Sequence, residues 1–145
     1  MTIEKEFYDR IDCKFPYQDK SACLKLIDEA AFLPPNALFF VIHEICRVPT
    51  SEKDKVNSAL LLDLLSYTTN RINHPLKEMV EQTARKMILG KELGVDEVIS
   101  KMILIKNYHG QYSALNILYF SCDDIHGKLE PVMNEIHTHW HKAGS

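Results

Sequence analysis

The sequence predicts an all-α protein, and three observations support this prediction. Apolar residues recur at the 3.6-residue spacing of amphipathic helices, and no stretch shows the strict alternation that indicates a half-buried strand. Four of the five glycines fall between the helical patterns, where helices end: Gly90, Gly94, Gly110 and Gly127. We expect about seven short helices, packed as a compact stack or bundle in a single domain that spans residues 1–145.

The first predicted helix runs from Lys20 to Leu33, where the apolar residues form one stripe. Pro34 and Pro35 end this helix. Pro35 can open the next one, because a proline at the first helical position gives up no intrahelical hydrogen bond. That second helix, about Asn36 to Val48, is apolar almost all round, which predicts a central position in the core.

A third helix is expected to begin at Ser51, as its cap, and to run to about Thr69, with Asp54 near the first-turn amides. Asn73 and Pro75 start the fourth helix. It carries the clearest amphipathic stripe in the chain, formed by Leu76, Met79, Val80, Thr83, Ala84, Met87 and Ile88.

Three further helices, joined by short turns, complete the prediction. They run from about Val95 to Lys106, from about Gln111 to Cys122, and from about Lys128 to His141, the last with Pro131 in its early part.

Two of these helices resemble each other, since Ser58-Ala59-Leu60 aligns without gaps with Ser113-Ala114-Leu115. A small residue followed by leucines suits the second helix of a stacked pair, because a small side chain lets neighbouring helices approach closely. The echo favours a HEAT-like stack of repeats, and a plain orthogonal helical bundle is the alternative.

The charge balance argues against nucleic acid as a direct partner. The chain has 17 basic and 20 acidic side chains and a formal charge of −3, so it lacks the basic surface that holds a phosphate backbone. A mildly acidic protein favours a basic protein partner instead, because complementary potentials speed encounter and exclude wrong partners.

We expect a cytoplasmic protein with no membrane span. The first residues place acids where a signal peptide needs an apolar core, and no window approaches the ~18 uninterrupted apolar residues of a spanning helix. The cysteines are scattered without a C-x-x-C pair, which predicts reduced, buried thiols over a disulfide or metal framework: Cys13, Cys23, Cys46 and Cys122.

The stretch LFFVIHEICRVP, Leu38 to Pro49, differs by one residue from the H-E-x-x-H motif, in which two histidines hold zinc and the glutamate acts as a base. Arg47 replaces the second histidine, and its guanidinium would repel a metal ion. We therefore predict no metal here, and an ion pair between Glu44 and Arg47. Cys46 beside His43 leaves a metal or nucleophile–base pair as an alternative, but with an incomplete set of ligands.

The C-terminal stretch NEIHTHWHKAGS has His137 and His141 one helical turn apart and His139 on another face. A catalytic zinc needs three protein ligands held by a second layer of contacts. We interpret these histidines as a solvated, frayed helix end, with Trp140 docked on the body of the protein.

The stretch SCDDIHGKLE concentrates acids and an imidazole in Asp123, Asp124, His126 and Glu130. Clusters of this kind form metal sites in phosphohydrolases, but those sites need an adjacent His-Asp pair, and the dipeptide H-D is absent from the sequence. A solvated acidic loop and an acidic contact patch for a partner are the other two interpretations.

Aromatic residues gather around the Gly110 turn, among them Tyr108 and Tyr112, and exposed aromatics anchor protein interfaces. No nucleotide-binding or hydrolase motif is present. We therefore predict no catalytic residues, metal or cofactor, and a partner-binding surface formed by Tyr108, Tyr112, Asp123, Asp124, His126 and Glu130.

The stretch LPPNALFFVIHEICRVPTSEKDKVNSALLLDLLS places short helices after a Pro-Pro break, with H-E-I-C-R in the middle. In this order it resembles the small all-helical immunity proteins of bacterial contact-dependent growth inhibition systems. The resemblance implies a cytoplasmic protein that binds one cognate toxin domain, often a nuclease, and blocks it. It carries over no particular binding residue.

Two other classes of function stay open from the residues. A helical enzyme or metal-binding domain would use the His, Asp and Glu clusters described above, and its histidines would converge in the fold. A general HEAT-like adaptor would bind several peptides instead of one toxin.

Overall fold

The computed structural model describes residues 3–13, 15–16, 19–47, 58–124 and 126–144. Within these ranges 72% of the residues are helical and there is no strand, which confirms the all-α prediction. Eight helices are described: α1 (Ile3–Cys13), α2 (Lys20–Ala30), α3 (Pro35–Cys46), α4 (Ser58–Thr69), α5 (Lys77–Ile88), α6 (Val95–Ile105), α7 (Tyr112–Tyr119) and α8 (Leu129–Gly144).

Local signals in the sequence fix the early helix boundaries. The Asp19 side chain accepts a hydrogen bond from the Ala22 N–H at 3.1 Å and caps α2. Pro35 occupies the first turn of α3, as predicted, and Pro34 is its N-cap residue. The predicted cap at Ser51 and the first-turn acid Asp54 lie outside the described residues.

Helix α1 was not among the predicted helices. Its Phe7 and Ile11, four positions apart, are each only 1% exposed and reach the core. The Tyr8 hydroxyl accepts a hydrogen bond from Nδ2 of Asn36 at 3.0 Å, which ties α1 to the start of α3. Helix α1 is therefore part of the packed domain.

Helix α3 is the centre of the protein, as its nearly continuous apolar character predicts. It packs against α1, α2, α4, α5 and α7, and its most extensive contact is with α7. In a solenoid each repeat contacts only its neighbours. One helix surrounded by five others is a bundle, so the contacts favour the bundle over the HEAT-like stack.

The echo between α4 and α7 does not reflect equivalent positions in the fold. Ala114 of α7 is fully buried, and α7 makes its most extensive contact with α3. The aligned Ala59 of α4 is exposed. The shared pattern is a similarity between two core helices and not evidence of a structural repeat.

Helices α6 and α8 cover α7 on the outside of the bundle. Trp140 of α8 is docked as predicted: it is 1% exposed, and its indole N–H donates to the Lys106 carbonyl at 2.8 Å. Its ring meets that of Tyr112 edge to face at a centroid distance of 5.0 Å. Because Trp140 fixes this end, the helix continues to Gly144 where we had expected fraying.

Candidate protein-binding surface

Helices α3 and α7 run parallel and in register. Near their starts, the side-chain oxygen of Asn36 accepts a hydrogen bond from the Ser113 N–H at 3.0 Å. Near their ends, the rings of His43 and Phe120 lie 6.2 Å apart between centroids. Both pairs are separated by 77 residues in the chain. The C-terminal ends of the two helices therefore lie together at one end of the bundle.

Helix α5 ends at the same place, and the three helix ends surround an open depression of about 480 Å³. Apolar and small residues line it together with buried Ser121: Cys46, Met87, Gly90, Phe120 and Cys122. Its rim is formed by three exposed charged residues, Lys91, Glu92 and Asp123. A helix C-terminus carries a partial negative charge from its last carbonyl groups. Glu92 and Asp123 add two carboxylates to the lining at these ends, and Lys91 adds one ammonium group.

The turn at Gly90 brings the rim residues into place. Gly90 has φ +73°, a conformation that other residues avoid, and its N–H donates to the Met87 carbonyl at 3.1 Å. The next N–H, of Lys91, donates back to the Lys86 carbonyl at 2.8 Å. This pair of bonds is the Schellman ending of a helix. It turns the chain so that Lys91 and Glu92 border the depression.

Phe120 is the most prominent apolar side chain on this surface. It is 60% exposed, and its ring meets the Tyr119 ring edge to face at 5.1 Å. Leu89, next to Gly90 in the chain, is 47% exposed. Large apolar side chains that stay in water beside a concave surface are typical of protein-binding sites.

The acids of this surface act on the thiol of Cys122. Burial raises the pKa of Cys122, and the nearby carboxylates of Asp124, Asp123 and Glu92 raise the pKa further. A raised pKa keeps the group as a thiol, and a thiol is a poor nucleophile. The arrangement supports a negative binding surface and does not support cysteine catalysis.

The six residues predicted to bind a partner divide between two ends of α7. Asp123, Asp124 and His126 lie in the connection from α7 to α8, and Glu130 lies in the first turn of α8. Tyr112 is the first residue of α7 and Tyr108 lies in the turn before it, so both are at the other end of this helix, roughly 12 Å away along its axis. The end with Asp123 lies beside the depression, and the end with the two tyrosines does not.

Asp124 has a structural role at the start of α8. Its two carboxylate oxygens accept hydrogen bonds from the N–H groups of Lys128 and Leu129, at 2.7 and 3.0 Å. Leu129 is the first residue of α8 and Lys128 precedes it, and N–H groups at the start of a helix have no partner within the helix. Asp123 is exposed on the rim and is the acid of the pair that can face a partner.

The two tyrosines at the other end pack in aromatic clusters. The Tyr108 ring meets that of His74 at 5.3 Å, and Tyr112 contacts Trp140 and also His137, at 5.7 Å. Tyr108 is half-buried, and Tyr112 is 38% exposed. These contacts give both tyrosines a packing role beside any role in binding.

The zinc-protease-like stretch contains the predicted ion pair. Arg47 Nη1 lies 3.1 Å from Glu44 Oε2, and His43 Nδ1 lies 3.8 Å from the same oxygen. Glu44 and His43 are buried, so the pair is less solvated than the helix-surface pair we expected. Among the described residues, no group of three or more His, Cys, Asp or Glu is placed to hold a metal ion.

Several residues of the surface could not be found from the sequence. Cys46 ends α3, whereas Met87, Gly90 and Glu92 lie at the end of α5 and in the turn after it, so the two groups meet only through packing. Phe120 is an aromatic residue of the same part of the sequence as Tyr112, but its exposure depends on where α7 ends. Helix α7 ends at Tyr119 instead of Cys122, which leaves Phe120 as the C-cap residue.

No protein-family model, curated protein or solved structure matches this chain. Within the described ranges, no helix is both long and apolar enough to cross a lipid bilayer.

Proposed function

We propose that this protein is an immunity protein that binds a basic toxin domain and blocks it by covering its surface. The observation that carries the proposal is the depression at the ends of α3, α5 and α7, where exposed Phe120 stands beside Glu92 and Asp123. The resemblance of residues 33–66 to immunity proteins of contact-dependent inhibition systems supports the choice of a toxin as the partner.

Charge and apolar contact have separate parts in this proposal. Glu92 and Asp123 are exposed, so they would steer a basic partner towards the depression during encounter. Phe120 would then be covered by the partner and lose its contact with water, which is the usual behaviour of an interface anchor. The acids would set the association rate, and the aromatic ring would set the lifetime of the complex.

The test uses the product of the gene adjacent to the one that encodes this chain. Expression of that product alone should stop bacterial growth if it is the toxin, and co-expression of this chain should restore growth. Purified together, the two proteins should form a complex. If the adjacent product binds no tighter than an unrelated basic protein, or if growth is not restored, the proposal is wrong.

Charge reversal locates the surface. Glu92→Lys combined with Asp123→Lys should slow association by about tenfold at low salt and reduce its salt dependence. Asp124 is left unchanged, because its carboxylate holds the start of α8. The matched control is Asp63→Lys, since Asp63 is an exposed acid in the middle of α4. If the double substitution and the control slowed association equally, the depression would not be part of the binding site.

Removal of the Phe120 ring is the second test of this surface. Phe120→Ala should raise the dissociation rate and weaken the complex by about 2 kcal/mol. The control is Phe32→Ala: Phe32 is 91% exposed and lies in the turn before α3, at the opposite end of that helix from Cys46. It should leave binding unchanged.

A further inference from the structure

The depression combines features that favour one kind of group from a partner. Cys46, Met87 and Phe120 contribute apolar groups to its lining, Phe120 is 60% exposed, and two rim residues are acids. Residues at the C-terminal ends of α3, α5 and α7 line it, and helix C-termini carry partial negative charge. A group that suits all of these features is a flat cation that can lie on an aromatic ring and donate several hydrogen bonds.

We propose that the depression binds the guanidinium group of an arginine presented by the partner protein, stacked on Phe120 and paired with Asp123 or Glu92. This inference rests on the proposed function only for the source of the arginine, a toxin surface. The recognition itself depends on the residues of this chain.

Arginine fits this surface better than lysine for two physical reasons. Its guanidinium is planar and weakly hydrated, so it can lie against an aromatic ring while its edge donates to a carboxylate or to helix carbonyls. A lysine ammonium is compact and strongly hydrated, and it donates from a single point. The exposed ring and the separate acids on the rim therefore match a flat, forked donor.

Lys91 opposes such a cation and gives the inference a sharp test. Its side chain is exposed on the same rim as Glu92 and Asp123. Like charges repel, so removal of Lys91 should strengthen binding of a cation, whereas removal of an acid should weaken it. A surface that binds through apolar contact alone would not respond to these changes in opposite directions.

The experiment needs no partner protein. N-acetyl-arginine methylamide would be added to the isotope-labelled full chain at millimolar concentrations, and backbone amide shifts followed by NMR. The expected result is saturable shifts at Gly90, Phe120, Cys122 and Asp123. The same compound built on citrulline has nearly the same shape but no charge. The compound built on lysine keeps the positive charge but has no planar group. Both should bind more weakly.

Variants complete the test. Phe120→Leu keeps an apolar side chain and should weaken arginine binding by about two- to fivefold, and Asp123→Asn by a similar factor. Lys91→Met should strengthen it. Phe32→Leu and Asp63→Asn are the matched controls at distant exposed positions and should have no effect. Equal binding of the citrulline compound, or unchanged arginine binding in both Phe120→Leu and Asp123→Asn, would overturn the inference.

The two proposals fail in different ways. If the arginine compound binds as expected but the adjacent-gene product is not neutralised, the proposed function is wrong and the guanidinium site stands. If that product is neutralised equally by the wild-type chain and by Phe120→Leu with Asp123→Asn, the guanidinium site is wrong and the proposed function stands.

Discussion

The side-chain oxygen of Asn36 accepts a hydrogen bond from the backbone N–H of Ser113 at 3.0 Å, across 77 residues of sequence. The amide nitrogen of Asn36 donates to the Tyr8 hydroxyl at 3.0 Å, and that hydroxyl donates to Glu4 at 2.8 Å. The Asn36 side chain, at the start of α3, therefore accepts a hydrogen bond from the first turn of α7 and donates one to α1. The contact also sets the register that brings the far ends of α3 and α7 together.

Asn36→Ala should lower the free energy of unfolding by about 2 kcal/mol, because the Ser113 N–H loses its acceptor in a partly buried place. Urea unfolding followed by the fluorescence of Trp140, the single tryptophan, would measure this. Asn70→Ala, at an exposed position in the turn after α4, is the control and should change stability little. If Asn36→Ala leaves the free energy of unfolding unchanged, water has replaced the lost acceptor.

His74 should make the protein less stable in mild acid. Burial lowers the pKa of His74 below its ordinary value of 6.5. The Leu76 N–H donates to its Nδ1 at 3.1 Å, which requires that nitrogen to be unprotonated. Since the folded pKa is the lower one, the unfolded chain binds more protons as the pH falls through 6.5. The contribution of neutral His74 to the free energy of unfolding is therefore present above pH 6.5 and is lost as the pH falls below it.

The test compares free energies of unfolding at about pH 7.5 and about pH 5.5 for the wild type and His74→Asn. Asparagine can accept the same hydrogen bond two residues ahead but does not titrate in this range. The other histidines are common to both proteins, so the difference isolates His74. The wild type should lose more stability on acidification than the variant. An identical loss would exclude His74 as the cause.

Gln111→Met should stabilise the protein by about 1 kcal/mol. The side-chain oxygen of Gln111 is buried, and among the described residues no donor reaches it. Methionine has a similar length and removes the unsatisfied acceptor. Gln82→Met, at an exposed position of α5, is the control and should have a smaller effect. A loss of stability in Gln111→Met, measured by urea unfolding, would indicate that the oxygen is hydrogen-bonded in solution.

Substitution of Asp124 should lower the stability more than substitution of its neighbour Asp123. Asp124→Ala should cost about 1 kcal/mol, because two N–H groups at the start of α8 lose their acceptor. Asp123→Ala should stay within about 0.5 kcal/mol, as expected for an exposed residue. Thermal unfolding of the two variants under the same conditions would compare them. If Asp123→Ala proved the more damaging, the assignment of roles to the two acids would be reversed.

The fold was predictable where a helix carries its own apolar stripe. The periodic pattern of α5 and the Pro34-Pro35 break before α3 depend only on nearby residues, and both are present in the structure. Helix α1 was missed because Phe7 and Ile11 mark its buried face among many charged residues. Much of its stabilisation comes from contact with α3, and the residues of α1 alone do not contain that information.

The candidate surface was only partly predictable for the same reason. An acid such as Asp123 can be noticed in the sequence by its chemistry alone. Its position beside Cys46 depends on the packing of α3 with α7, and its position beside Gly90 and Glu92 on the packing of α5 with α7. Parallel neighbours such as α3 and α7 need a long connection between them. Local periodicity cannot give the register of two helices that lie so far apart in the chain.

The parallel packing of α3 and α7 has a consequence during protein synthesis. The depression needs residues from Cys46 to Asp123, so a ribosome that has not yet released α7 holds a chain with no binding surface. A partner that needs this surface would then bind only after α7 has been made and packed. A partner that binds only the folded chain then favours the folded state by mass action, so a variant of marginal stability should unfold less readily in the complex than alone.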